Sequence, residues 1–208
     1  LEIKALVIAC NTATSVVLPQ LAARYAFPVI GVIEPGATYA LRTTKNKRIA
    51  VMGTKKTIET GAYENVLKGL DPDVTVYSVS CPKLVPLLEE GAPLEVIYLA
   101  LEEYLFPLKT ENVDTLVLGC THSPLLTKPI QHIMGSQVVL ANPAIQTVIA
   151  LQDVLNRDGL MASREREGDY LFYTSGDQHA FNQQASLVLG KKVVSMQEEI
   201  HLGVSKRS

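Results

Sequence analysis

Several features that mark particular classes of protein are absent from this 208-residue sequence. Lys and Arg number 19 against 21 Asp and Glu, so there is no basic excess to hold nucleic acid or an anionic membrane surface. No apolar run approaches the roughly 20 residues that cross a bilayer, and the most apolar helical segment, 92–108, is interrupted by Glu95, Glu102 and Glu103. No basic segment followed by an apolar one opens the sequence, so no signal peptide is visible.

Cysteine is scarce, and an initial methionine is missing. The three cysteines stand far apart, at positions 10, 81 and 120. An odd number of distant cysteines argues against a disulfide framework and favours a reducing, cytoplasmic setting. The sequence starts at Leu1 and enters an apolar run by residue 5, so we expect further residues upstream.

Short apolar segments rich in β-branched residues alternate with longer amphipathic segments along nearly the whole chain. Unbroken apolar runs of this kind are typical of strands that helices cover on both faces. Alternating strands and helices imply parallel strands joined by right-handed crossovers, in a three-layer α/β fold. The predicted strands are 5–9, 29–32, 48–52, 74–80, 115–118, 137–140, 169–173 and 193–196.

Helices are predicted between these strands, with Gly and Pro near several of their ends. Residues 34–36, Glu-Pro-Gly, predict a turn before a helix that starts near Ala37, and Gly53-Thr54 predicts a turn and helix N-cap. The polar stretch 157–168 is predicted as a surface loop. The other predicted helices are 13–25, 57–70, 84–90, 94–105, 124–134, 144–156 and 177–189.

Two strand ends have the same layout. Residues 6–12 read LVIACNT and residues 116–122 read LVLGCTH, so each segment runs from a buried strand through a small residue and a cysteine to polar residues and a helix. Cys10 and Cys120 stand about the length of one small α/β domain apart. Ligands bind at the carboxyl ends of strands in open α/β sheets, so both thiols occupy binding-site positions.

This position predicts the chemistry of the two thiols. Helix N-termini carry unpaired amides and a partial positive charge, which lower the pKa of a nearby thiol and bind carboxylates. Asn11, Thr12 and Thr121 add side-chain donors for a carboxylate or an amino group. His122, two residues after Cys120, is placed to take or relay its proton.

Other interpretations of these residues are weaker. A lone cysteine is usually a small buried hydrophobic residue, and this is the interpretation for Cys81. A zinc site is disfavoured because no Cys-x-x-Cys pair is present. Residues 53–57, GTKKT, lack the second glycine and the four-residue insert of a phosphate-binding P-loop, so a capped helix start is the better interpretation.

Several segments together resemble bacterial glutamate racemases, over essentially the whole chain. They are ACNTA (9–13), PVIGVIEPG (28–36), GT (53–54), CPKLVPLLE (81–89), DTLVLGCTH (114–122) and FYTSGD (172–177). The resemblance implies two similar three-layer αβα domains with parallel sheets and an active site in the cleft between them. The first domain would comprise 1–33 plus 141–208, and the second 34–140.

The resemblance also implies a mechanism, in which two cysteines approach opposite faces of an amino acid's α-carbon. Cys10 and Cys120 would be the catalytic acid–base pair, assisted by His122 and Glu89. The implied activity is interconversion of L- and D-glutamate for peptidoglycan synthesis, in the cytoplasm and without metal or cofactor. The expected partner is the small molecule glutamate, and no membrane or nucleic acid is expected to bind. Whether the protein forms a homodimer is left open by the sequence. The implied substrate-binding residues are Asn11, Thr12, Thr54, Thr57, Thr121 and His122.

The sequence departs from the family pattern mainly at its start. Family members carry an Asp-Ser-Gly motif upstream of Cys-Asn-Thr, and Thr12 stands where the second turn has His122. We therefore expect the proton partner of Cys10 to be an upstream Asp, and these 208 residues alone to be poorly active and unstable. Ser123 replaces a usual Tyr, and 141–144 reads ANPA, which bears on substrate affinity.

Two alternatives to a glutamate racemase remain at this point. The first is a racemase for another amino acid, with aspartate the nearest candidate because the wider superfamily shares the paired cysteines. The second is a catalytically weakened relative that acts as a binding or regulatory protein. A substrate panel separates the first alternative, and thiol titration separates the second.

Overall fold

The computed structural model describes residues 3–163 and 168–199. The chain forms two compact units, Leu1–Met161 and Ala162–Ser208. Their boundary falls inside the segment 157–168 that was predicted as a surface loop, of which residues 164–167 lie outside the described part. The predicted domain limits at 33/34 and 140/141 stay a prediction.

Each predicted strand forms, with ends shifted by at most three residues, and every strand pair in the described residues is parallel. This confirms the predicted α/β class with parallel sheets. The strands are Leu6–Ile8 (β1), Val29–Gly31 (β2), Arg48–Gly53 (β3), Thr75–Ser80 (β4), Thr115–Gly119 (β5), Val139–Ala141 (β6), Phe172–Thr174 (β7) and Ser195–Gln197 (β8).

The helices lie between these strands in the alternating order that was predicted. A short 3-10 helix, Ser123–Leu126, precedes one of them. The α-helices are Asn11–Arg24 (α1), Ile33–Thr43 (α2), Lys55–Glu59 (α3), Ala62–Leu70 (α4), Leu84–Glu89 (α5), Leu94–Lys109 (α6), Thr127–Met134 (α7), Pro143–Arg157 (α8) and Gln178–Leu189 (α9).

The first unit is built around a four-stranded sheet in the order β4-β3-β5-β6, with β1 and β2 as a second parallel pair. Side chains alternate across a strand, so Ile49 and Val51 pack with α2 and α4, whereas Ala50 and Met52 pack with α5, α6 and α7. The sheet is thus the middle of three layers. Strand β5 is buried along its whole length, so packing on both of its faces restrains the position of Cys120, which follows it.

The second unit contains β7 and β8, which pair in parallel, and α9. Asp177 caps α9 by accepting a hydrogen bond from the backbone N–H of Ala180 at 2.7 Å. Gly190 ends this helix with a φ of 63°, in the left-handed region that glycine adopts without strain.

The predicted turn at 34–36 is wrong, because α2 begins at Ile33 and includes these residues. Pro35 lies in the first turn of α2, where a backbone N–H has no intrahelical acceptor in any case. Gly36 does not form a turn; it allows α2 to pack closely against α8. A Cβ at this position would lie 3.0 Å from the ring of Pro143 in α8.

Two further helix predictions are corrected. The single helix predicted over 57–70 is divided into α3 and α4 at Gly61, which has a φ of 63°. The helix predicted to end at 105 continues to Lys109 through Pro107, because the buried side chains of Leu105 and Leu108 keep this turn on the core.

Candidate active site

Cys10 lies directly after β1 and is the N-cap residue of α1. Its carbonyl accepts the backbone N–H of Thr14 at 2.8 Å, which starts the helix. The Cys10 residue is exposed. Among the described residues, no side chain forms a hydrogen bond with its thiol.

Cys120 lies directly after β5 and is partly buried. Burial raises the pKa of its thiol, whereas hydrogen bonds from the His122 and Ser123 backbones and the Ser123 hydroxyl act in the opposite direction. Charge on Cys10 also raises the pKa of Cys120, so the two thiols are near enough to interact. The prediction that the helix start lowers the thiol pKa is wrong for Cys120, because burial outweighs the amides.

The two turns are joined by a hydrogen bond. The hydroxyl of Thr121 donates to the carbonyl of Ala9 at 2.9 Å, linking the residue after one cysteine to the residue before the other. Gly119 allows β5 to approach β3 closely here, since a Cβ at this position would lie 2.7 Å from the carbonyl of Met52. The matching strand ends are therefore side by side in the fold.

His122 and Glu89 form a pair next to Cys120. The imidazole Nε2 lies 3.2 Å from Oε1 of Glu89, at the end of α5. The opposite ring nitrogen, Nδ1, lies 4.0 Å from the Cys120 sulfur. The carboxylate, imidazole and thiol thus stand in a row, which is the arrangement needed to accept or return a proton at Cys120.

Three threonine hydroxyls form a triangle near the Cys10 turn. Thr12 lies 2.8 Å from Thr54 and 3.0 Å from Thr57, and Thr54 and Thr57 are 3.0 Å apart. Thr54 also accepts the backbone N–H of Thr57 at 3.2 Å, which confirms the predicted N-cap. The structure therefore brings together three residues from the predicted substrate-binding set.

Asn11 has a partner that sequence analysis missed. It is buried, and its Oδ1 accepts a hydrogen bond from the Tyr63 hydroxyl at 2.7 Å. Tyr63 lies in α4, where an aromatic residue at an amphipathic position is normally core, so the sequence carried no signal for this contact. Burial raises the pKa of Tyr63, which keeps the phenol protonated and able to donate.

A pocket of about 210 Å³ opens beside Cys120, and it is lined by Ala9 and Asn11, which flank Cys10, but not by Cys10 itself. Asn11, Cys120 and Thr121 line it together with Asn142 and Thr147, and the rest of its wall is largely apolar. Asn142 belongs to the segment 141–144 that departs from the family pattern and is not among the predicted site residues. Its side chain accepts the backbone N–H of Ala144 and caps α8, which starts beside the pocket.

Other predicted residues lie around a second, smaller pocket that Cys120 also lines. Thr54, His122 and Ser123 line it, together with Cys81. Cys81 is buried, as its interpretation as a packing residue predicts, and burial raises its pKa to about 12. The third thiol is therefore held in its neutral form at physiological pH.

Residues 3–163 and 168–199 contain neither a metal-binding cluster nor a membrane-spanning helix. No cluster of three His, Cys, Asp or Glu side chains in these ranges has the arrangement of a metal site. Within the same ranges, no helix combines the length and the apolar character needed to cross a membrane.

Comparison with known proteins identifies the family. Residues 1–150 match the model of the Asp/Glu/Hydantoin racemase family. A glutamate racemase from Latilactobacillus sakei is 43% identical over 201 residues, which is 95% of this chain and 72% of that protein. The crystal structure of a glutamate racemase isoform from Bacillus anthracis superposes with a TM-score of 0.90 at 36% identity, covering 96% of this chain and 74% of that one.

A second solved structure carries a ligand. The glutamate racemase from Francisella tularensis, in complex with D-glutamate, matches with a TM-score of 0.87 at 28% identity, over 97% of this chain and 75% of that one. The family match, the sequence identity and the shared fold agree with one another and with the paired cysteine turns. The chain belongs to the Asp/Glu/Hydantoin racemase family of isomerases.

Proposed function

We propose that the protein interconverts L- and D-glutamate by passing a proton to and from the α-carbon through Cys10 and Cys120. The observation that carries this proposal is the juxtaposition of the two cysteine turns at matching strand ends, which the hydrogen bond from the Thr121 hydroxyl to the Ala9 carbonyl joins at 2.9 Å. The relative from Latilactobacillus sakei is a glutamate racemase, and the structure from Francisella tularensis holds D-glutamate, which favours glutamate as the substrate.

The two-thiol step is balanced without a further reactant. One cysteine, as a thiolate, removes the α-proton from one face of the amino acid and becomes a thiol. The other cysteine, initially a thiol, donates its proton to the opposite face and becomes the thiolate. Inversion requires two groups because a single base reaches only one face.

His122 and Glu89 would control the protonation of Cys120. Burial favours the neutral thiol of Cys120, so removing its proton requires a base within reach. His122 is that base in the proposal, and Glu89, 3.2 Å from Nε2, orients its ring.

The polar residues beside the thiols would bind the substrate. Amide and hydroxyl donors stabilise the negative charge that the α-carboxylate gains when the α-proton leaves. Asn11 and Thr121 line the same pocket as Cys120. The Asn11 amide is placed for this role, whereas the Thr121 hydroxyl already donates to the Ala9 carbonyl. The hydroxyls of Thr12, Thr54 and Thr57 bond to one another, and each can exchange such a bond for one to the second carboxylate of glutamate.

We further propose a cellular role, a location and a domain organisation for the enzyme. D-Glutamate is a component of peptidoglycan, and we propose its supply as the role of the enzyme. The three free cysteines, none of them in a disulfide, favour a cytoplasmic location. The domain organisation implied by the resemblance, 1–33 plus 141–208 and 34–140, and a homodimer are retained as proposals.

A substrate panel tests the proposal. The purified protein is incubated separately with L-glutamate, D-glutamate, L-aspartate and D-aspartate, without added cofactor, and the enantiomers are separated by chiral chromatography. We expect both glutamate enantiomers to approach a 1:1 mixture, and aspartate to react much more slowly. Equal or faster turnover of aspartate would contradict the substrate assignment, and a preparation carrying Cys120→Ala controls for contaminating racemases.

A further inference from the structure

Tyr63 touches both cysteine turns. Its side chain is 3% exposed, and its hydroxyl donates to Oδ1 of Asn11, the residue that directly follows Cys10. At its other side, the ring lies against Gly119, the residue that directly precedes Cys120, since a Cβ there would be 3.2 Å from ring atom Cε2. One buried side chain therefore spans the two strand ends.

The position of this side chain is closely restricted. A Cβ at Gly36 of α2 would lie 3.3 Å from the Tyr63 hydroxyl oxygen, so α2 packs directly against it. The ring also belongs to the core cluster formed with Leu67 and Val117. A buried ring held by backbone on two sides has one accessible rotamer, and its hydroxyl oxygen is fixed accordingly.

The hydrogen bond decides which end of the Asn11 amide faces the pocket. A buried phenol must donate its proton, and Asn11 Oδ1 is the acceptor that the described residues provide for it. The amide oxygen is then occupied by Tyr63, and the amide nitrogen, with two donors, has no hydrogen-bond partner among the described residues. Asn11 lines the pocket that Cys120 and Thr121 also line.

We propose that Tyr63 is a positioning residue that holds the Asn11 amide with its NH2 group toward the substrate carboxylate. The inference rests on the proposed function, because it assigns Asn11 as a donor to a bound amino acid. Without the phenol, the amide is free to turn by 180° and present its oxygen, which repels a carboxylate. Tyr63 would therefore affect substrate binding without touching the substrate.

Tyr63→Phe tests the role because it removes the hydroxyl and keeps the ring against Gly119. We expect the KM for glutamate to rise about tenfold, as for a lost hydrogen bond to a charged group, with a smaller change in kcat. Tyr98→Phe is the matched control, because Tyr98 packs on the other face of the sheet. The KM of this variant for glutamate should equal that of the unmodified protein. Thermal unfolding of each variant verifies that it folds.

A double-mutant cycle separates positioning from a general structural effect. Asn11→Ala alone should raise KM at least as much as Tyr63→Phe, and adding Tyr63→Phe to Asn11→Ala should raise it no further. Additive effects of the two substitutions would overturn the proposal, because Tyr63 would then act independently of Asn11.

A spectroscopic measurement keeps this test distinct from the substrate assignment. The side-chain amide signals of Asn11 in a 15N correlation spectrum are identified by their absence in Asn11→Ala. We expect them to shift or broaden in Tyr63→Phe and to stay in place in Tyr98→Phe, whether or not glutamate is the substrate. Unchanged signals in Tyr63→Phe would overturn the proposal, whereas absent glutamate turnover in the unmodified protein would contradict only the proposed function.

Discussion

The turns that carry Cys10 and Cys120 share a sequence pattern but differ in environment. Cys10 is exposed and occupies the N-cap position of α1, a 14-residue helix. Cys120 is partly buried, precedes a four-residue 3-10 helix, and has the His122 imidazole beside it. The repeat therefore fixes where the thiols lie, and the surroundings decide how each one can gain or lose a proton.

This difference bears on the mechanism. A racemase uses both thiols in each direction, so each must serve as base in one direction and as acid in the other. Burial favours the neutral thiol at Cys120, and the His122–Glu89 pair offsets this effect in the proposed mechanism. Substitutions on the two sides should accordingly differ in size and kind.

The largest effect is expected from removing either sulfur. Cys10→Ala and Cys120→Ala should each lower kcat/KM for glutamate by about 10³-fold or more, because each deletes a general acid–base group. Racemisation followed by chiral chromatography measures the loss. Cys81→Ala is the matched control and should keep most of the activity, since Cys81 is a buried neutral thiol. Full activity in either of the first two variants would end the two-thiol mechanism.

The second-largest effect on racemisation is expected from His122, the imidazole that only the Cys120 turn has beside its thiol. His122→Asn removes the proton acceptor beside Cys120 and should lower kcat/KM by about 10²-fold. Glu89→Gln should have a smaller effect, because the ring stays in place and only its charged partner is lost. His132→Asn, an exposed histidine in α7, serves as the control. A His122→Asn variant as active as this control would refute the asymmetry between the turns.

Thiol labelling compares the turns without any substrate. Iodoacetamide reacts with thiolates that it can reach, so at pH 8 we expect Cys10 to react at least about tenfold faster than Cys120. Cys81, with a pKa of about 12, should stay unlabelled in the folded protein. Peptide mass spectrometry over a time course gives the three rates. Faster labelling of Cys120 would show that its amides outweigh its burial.

The smallest effect on racemisation is expected from Asp114. This residue directly precedes β5, the strand that leads to Cys120. Burial raises the pKa of Asp114, but hydrogen bonds from Thr44, the Lys45 and Asn46 amides and Thr115 outweigh it, so the pKa is lowered. The associated stability is present above the ordinary pKa of an unfolded Asp and is lost as pH falls through the lower folded value.

Asp114→Asn tests this contribution. The substitution should lower the free energy of unfolding near neutral pH by about 1–3 kcal/mol and make stability less sensitive to acid, because hydrogen bonds to a charge are lost. Urea denaturation at several pH values measures both effects, and Asp73→Asn, at an exposed carboxylate, is the control. An identical acid dependence in the two variants would contradict the role of Asp114.

Sequence reasoning located the strands and the paired turns because both depend on local patterns. Unbroken apolar runs predicted β3 and β5, and the cysteine repeat predicted that Cys10 and Cys120 occupy equivalent ends. The start of α2 was missed because Pro35 and Gly36 have the same local preference for a turn and for a first helical turn. Their actual use depends on Pro143, which is distant in sequence.

The contacts that distinguish the two turns were also beyond the sequence. Tyr63 bonds to Asn11 across 52 positions, and nothing local separates it from an ordinary core tyrosine. The raised pKa of Cys120 results from burial by several elements, whereas the local pattern predicted only the lowering by helix amides. Long-range packing therefore set the chemistry that local sequence left undetermined.

Isotope incorporation tests the two-thiol mechanism most directly. Unlabelled L-glutamate is incubated with the protein in deuterated water, and both enantiomers are analysed by mass spectrometry after the first few per cent of conversion. Two thiols predict that the D-glutamate formed carries deuterium at the α-carbon, while the remaining L-glutamate is still unlabelled. D-Glutamate that keeps the original proton would show that a single base carries it between the faces, and would contradict the roles of Cys10 and Cys120.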